Sequence, residues 1–93
     1  MSTLSKVSVQ NMQSSNGNTI PNQFEIFTPE GKYFQSYSSV IAFRDKNGKV
    51  TLDREKWDFS ITTGKYRNQF LRETKKETER KIESGEYTLC NLN

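Results

Sequence analysis

From Gln23 to Leu52 the apolar residues come in runs of strand length, broken by turn residues. Phe24, Ile26 and Phe27 form a first short apolar strand. Pro29-Glu30-Gly31-Lys32 reads as a turn, with Pro suited to its early position and Gly to a positive φ later. Tyr33 and Phe34 resume an extended segment, and a polar break from Ser36 to Ser39 carries Tyr37. Val40, Ile41, Ala42 and Phe43 make a compact apolar strand. Asp45-Lys46-Asn47-Gly48-Lys49 is a hairpin turn, because Asn-Gly accepts the positive φ values such turns demand. Val50 and Leu52 alternate with Thr51 in the return strand. This pattern predicts an antiparallel meander of three or four strands over residues 23–52.

Beyond Leu52 the period changes. Asp53 is placed to cap a single turn through Lys56, and Trp57 follows as a large core plug at the junction. Ser60, Thr62 and Thr63 offer N-cap oxygens for a helix that starts near Thr63. Tyr66 and Phe70 lie four apart, so they share its inner face, with Leu71 beside them. Thr74 with Glu77 fits a capping box, which predicts a second helix from Lys75 or a kink in one long helix. Glu77 and Lys81 form an i,i+4 pair in the favourable order, and Gly85 is a stop signal. Tyr87 to Leu92 alternates and can return as an edge strand. The expected fold is α+β: a small antiparallel sheet of three to five strands packed on one or two helices in the C-terminal half. Residues 20–93 form a single domain in this reading. Residues 1–19, rich in Ser, Asn and Gln with only the weak alternation of Val7 and Val9, form a flexible N-terminal segment or an edge strand.

Composition sharpens the functional side. Ninety-three residues make one domain at most, and only 31% are hydrophobic, with aromatics making up much of the packing material. One cysteine, Cys90, excludes an internal disulfide and suits a reducing compartment. No histidine is present, which removes the commonest general base and zinc ligand. No apolar run is long enough for a membrane span, and the N-terminus has no apolar signal-peptide core. These features lead us to expect a soluble cytoplasmic protein without catalytic activity, cofactor or bound metal.

The net charge of +3 is mild, but the basic residues gather in the helical half. Lys65, Arg67, Arg72, Lys75, Lys76, Arg80 and Lys81 face Glu73, Glu77, Glu79 and Glu83. One reading is an electrostatic surface for phosphates or an acidic protein, and the plainer reading is a solvated helix face laced with weak ion pairs. Thr62-Thr63-Gly64-Lys65 resembles part of a phosphate loop, yet it lacks the second glycine and the Ser or Thr after the lysine. Phe34 and Phe43 read as core, whereas Tyr37 in its polar break reads as a surface aromatic suited to an interface. Cys90 reads as a small packed residue.

Two blocks carry a family resemblance. Phe34-Gln35-Ser36-Tyr37 followed by Ile41-Ala42 is similar to a Phe-x-Ser-Tyr…Ile-Ala pattern. Trp57-Asp58-Phe59-Ser60-Ile61-Thr62-Thr63-Gly64-Lys65, continuing to Phe70-Leu71, is similar to a Trp-x-Tyr-Ser-x-Thr-Thr-x-Lys…Phe-Leu pattern, with Phe59 departing from the usual Tyr. Both resemble a small bacteriophage and mobile-element family of unknown function, over residues 33–92. The resemblance implies a small phage-encoded protein made in the bacterial cytoplasm. Together with the small size and the lack of any catalytic set, it leads us to expect binding to a host protein complex, such as a nucleoprotein defence complex, that is inhibited or modulated in an anti-CRISPR-like manner. The expected contact residues are Tyr37, Lys65, Arg67, Arg72, Lys75, Lys76, Arg80 and Lys81. The alternative is a basic accessory protein that binds nucleic acid through the same helices. A homodimer through the edge strand at 87–92 is a further option.

Overall fold

The computed structural model describes residues 7–93. Strands β1 (Ser8–Gln13), β2 (Thr19–Thr28), β3 (Gly31–Ser36), β4 (Ser39–Asp45) and β5 (Val50–Asp53) precede helices α1 (Ile61–Leu71) and α2 (Lys75–Ser84), and β6 (Thr88–Cys90) closes the order. All six strands form one sheet in chain order, with β1 to β5 antiparallel and β6 added parallel to β5. A parallel neighbour requires a crossover, and the two helices supply it. The class is therefore α+β as expected, but the sheet has six strands rather than three to five. The additional strand is β1, and β2 begins at Thr19, ahead of the apolar run that marked it. Of the segment 1–19, residues 1–6 lie outside the described residues. Ser8–Gln13 pairs along β2, and Met12, at a shift in that register, is buried in the core.

The turns follow from their residues. Gly31 has φ +153°, and a Cβ there would stand 2.2 Å from the Arg44 carbonyl oxygen, so no larger residue fits. Gly48 has φ +87° in the Asn-Gly turn, where the Asp45 carboxylate accepts from the backbone N–H groups of Asn47 and Lys49. Asp53 does the same for Glu55 and Lys56, closing the short turn after β5. It also accepts from the Leu92 N–H, which fixes the chain after β6 beside β5.

One face of the sheet is covered by helix. Phe34, Ala42 and Leu52 are opposed across β3, β4 and β5, so their side chains share this face. Phe70 of α1 stacks on Phe34 with ring centroids 5.7 Å apart, and the Ser36 and Thr63 hydroxyls share a buried 2.9 Å hydrogen bond. Ile41, Val50, Leu71, Met12 and Tyr87 complete the core, with Trp57, Tyr66 and Ile82 packed at its margin. The inner stripe of α1 is thus Thr63, Arg67, Phe70 and Leu71, and Tyr66, the expected partner of Phe70, lies at its edge. Among the described residues, no helix is long and apolar enough to cross a membrane.

Phe34 is wholly buried between the sheet and Phe70. Phe34→Ala is expected to lower the free energy of unfolding by about 3–5 kcal/mol, read from urea denaturation, because it removes both transfer free energy and the packing around the ring.

Candidate functional site

The N-terminus of α1 is the first place where predicted residues converge. Ser60 is the N-cap, and its hydroxyl accepts from the Thr63 N–H. Beside it a shallow, open hollow of about 620 Å³ is lined by Asp58, Phe59, Ser60, Ile61, Gly64, Lys65, Arg67, Asn68 and Lys75. Ile61 is 93% exposed and Phe59 is 48% exposed at its rim. Asp58 bridges two cations, Arg67 at 3.1 Å and Lys75 at 2.7 Å. Burial works against the Asp58 carboxylate, but hydrogen bonds from Lys75 and Arg67 outweigh it and hold its pKa below the usual range.

Arg67 departs most from the sequence reading, because it is only 1% exposed. Its Nη1 donates to the Trp57 carbonyl at 2.7 Å and to Asp58, its Nη2 donates to the Asn68 side chain at 2.8 Å, and its guanidinium lies 5.2 Å from the Trp57 ring centroid. An arginine engaged this way offers little to a surface: it only lines the floor of the hollow, and its Nε is buried without a partner. Its spacing could have revealed it: Thr63, Arg67, Phe70 and Leu71 fall at i, i+4, i+7 and i+8 of one helical face.

Lys81 is also engaged internally. Its ammonium donates to Glu73 at 2.8 Å, and Glu73 also accepts from Thr78 at 2.6 Å and from the Tyr87 hydroxyl at 2.9 Å. Burial opposes the Glu73 charge, yet the bonds from Lys81, Thr78 and Tyr87 prevail and its pKa lies below 4.5. Burial and the Glu73 carboxylate push the Tyr87 phenol up to about 12. Of the predicted contact residues, Lys65, Arg72, Lys76 and Arg80 remain exposed and outside the ion pairs of the described residues. They are distributed over α1, its C-cap and α2, with Glu77 and Glu79 between Lys76 and Arg80, and Lys65 and Arg72 line different hollows. Tyr37 is at the tip of the β3–β4 hairpin, next to Ser36, whose hydroxyl bonds Thr63 in the first turn of α1. It is 55% exposed and held at φ +55°, a left-handed conformation that is costly for a bulky side chain.

The sequence reading missed two further surfaces. The sheet face opposite the helices carries Val9, Ile26, Tyr33, Phe43 and Thr51, which are opposed in one row across five strands, with Phe24 in the next row. Tyr33 and Phe43 touch with ring centroids 4.4 Å apart, and Val9 is 58% exposed. No Lys or Arg belongs to these rows. The second is a polar cleft of about 320 Å³ between the helix-side face of β1–β4 and the C-terminal end of α1, where Lys32, Arg44 and Arg72 meet. Among the described residues no three His, Cys, Asp or Glu side chains are grouped to hold a metal ion.

Two predictions follow from these networks. Arg67→Ala is expected to lower stability by about 3 kcal/mol, since it strands the Trp57 carbonyl and the Asn68 amide, whereas removal of the exposed Lys75 ammonium leaves the urea midpoint near wild type. The Glu73 cluster contributes to both pH limbs. A depressed carboxylate pKa contributes stability that is present above pH 4.5 and is lost as the pH falls through the folded value. A raised phenol pKa contributes stability that is present below pH 10 and is lost as the pH rises toward 12. In urea unfolding across pH, Tyr87→Phe is expected to flatten the alkaline limb. Glu73→Gln should reduce the acid limb without abolishing it, because Asp53 and Asp58 are also depressed.

No curated protein and no solved structure matches the chain. A family model does match, and it begins at Val7, well ahead of the blocks on which the phage-family resemblance rested, so it takes in β1 and β2 as well. Residues 7–86 match the model of a family of unknown function (DUF8033), and the chain belongs to that family.

Proposed function

We propose that this protein is a non-enzymatic binding protein of bacteriophage origin that engages a protein complex in the bacterial cytoplasm and inhibits or modulates it. Opposition to a defence nuclease complex of CRISPR type is the sharpest form of this reading. The observation that carries the binding role is the open sheet face. Its half-buried aromatic and aliphatic rows lack cations in a chain that is 27% charged. Such a face suits the dry centre of a protein interface and offers nothing to phosphates. Tyr37 adds support, because an exposed tyrosine kept at a left-handed turn position is poor for stability and useful for contact. The phage context rests on the sequence resemblance alone. Relative to the sequence reading, the contact surface moves from the helical cations to Tyr33, Phe43 and Tyr37, with Lys65, Lys76 and Arg80 as peripheral charges.

The test is capture of the tagged protein from host lysate, with and without nuclease. A stoichiometric protein partner that survives nuclease is expected, and it should be lost with Phe43→Lys while that variant still unfolds in a single cooperative transition, at a midpoint lowered by the lost Tyr33 contact. Tyr37→Gly is expected to keep or raise stability, by up to about 1 kcal/mol, while weakening capture. Recovery of nuclease-sensitive material alone would replace this reading with direct nucleic-acid binding through the exposed helical cations.

A further inference from the structure

The cleft between the sheet and the end of α1 holds an arrangement that folding alone does not explain. Lys32 and Arg44 are directly opposed on β3 and β4 and point to the same face. Like charges at such a pair repel one another and weaken a sheet. Both approach the Phe70 ring, the Lys32 ammonium at 5.9 Å and the Arg44 guanidinium at 5.3 Å from its centroid, and Lys32 also lies 5.3 Å from the Phe27 centroid. Arg72 enters from the other side. It is the C-cap of α1, with φ +58°, a position that helices commonly give to glycine.

Compensation inside the protein is thin. Glu25 is the carboxylate in the cleft, and it meets Lys32 at a long 3.7 Å. Arg44 gives one N–H to the Phe70 carbonyl at 3.3 Å, and the end of α1 adds its partial negative charge. Neither Arg44 nor Arg72 belongs to an ion pair among the described residues. Three cations against one weakly engaged carboxylate leave unused guanidinium donors in a half-enclosed space of about 320 Å³. Gln10 and Gln69 line the same space with polar side chains.

We propose that this cleft is a phosphate-binding site, in which Arg44 and Arg72 donate to the non-bridging oxygens and Lys32 supplies a point charge. Planar guanidinium forks match the oxygen spacing of a phosphate, and a bound anion relieves the repulsion between Lys32 and Arg44. The site is on the helix side of the sheet, away from the open face, so it stands or falls independently of the protein-binding reading. The phosphate comes either from a small phosphate compound or from a nucleic-acid backbone.

The test uses the purified full chain at low salt, titrated in separate arms with inorganic pyrophosphate, ADP and a fluorescent single-stranded oligonucleotide. Saturable pyrophosphate binding is expected, with NMR shifts concentrated on Lys32, Arg44, Gln69 and Arg72 and a rise in thermal midpoint. Lys32→Gln with Arg72→Gln should weaken that binding at least tenfold. The unliganded double variant should keep a single cooperative thermal transition near the wild-type midpoint, which shows that the fold is intact. An oligonucleotide affinity well above that for pyrophosphate and ADP identifies a nucleic-acid backbone, and comparable affinities identify a small phosphate compound. Absence of saturable binding in every arm, or binding that the double variant leaves unchanged, overturns the proposal.

Discussion

A guanidinium taken out of water loses its hydration and needs acceptors inside the protein. Arg67 finds them in the Trp57 carbonyl, the Asp58 carboxylate and the Asn68 amide, and its face stacks near the Trp57 ring. Those partners come from the connection that leaves β5 and from α1 itself. The same few bonds therefore orient Trp57, fix how the chain enters the helix, and place α1 over Phe34. The position of α1 in turn determines where its C-terminal end meets the sheet and where the crossover to β6 begins. A hydrophobic side chain at position 67 would fill the space but would leave those acceptors without a donor.

Much of the helical half is legible because its signals are local. Ser60 at the N-cap, the Thr74–Glu77 box and Gly85 at the C-cap each satisfy backbone groups within one turn, so the residue type reports the structure directly. The break between the helices was readable from Thr74, but its geometry was not, since Arg72 occupies the left-handed position that a glycine would have advertised. Arg67 was misassigned for a different reason. A charge run suggests a surface, and only the spacing from Thr63 to Leu71 places one member of the run on the buried stripe. That stripe also carries Gly64, which puts little apolar signal on the buried face.

The sheet divides in the same way. The β4–β5 hairpin was plain from Asn47-Gly48 and the alternation around it. β1 was faint, because its only large buried side chain is Met12 at a register shift, where alternation fails. Which face of a strand meets the helices depends on register with distant strands and is not a property of any short segment. Phe43 illustrates this: assigned to the core from its composition, it belongs to the open face, while Ile41 and Ala42 beside it are buried. The opposition of Lys32 and Arg44 is likewise invisible until β3 and β4 are aligned.

The segregation of charge is the consequence with most bearing on function. A net charge of +3 suggests a weakly basic molecule with cations spread over its helices. Folding redistributes them. Arg67, Lys75 and Lys81 are engaged by Asp58 and Glu73, and the outer rows of the sheet carry no cation at all. The uncompensated positive charge left on the sheet lies in one cleft, beneath the end of α1. A protein partner and an anion would therefore meet different sides of a single sheet. They would share strands β3 and β4, whose outward side chains include Tyr33 and Phe43 and whose inward ones include Lys32 and Arg44. On the two proposals made for these surfaces, the same pair of strands carries both ligands, so any coupling between them would pass through the packing of neighbouring residues on β3 and β4.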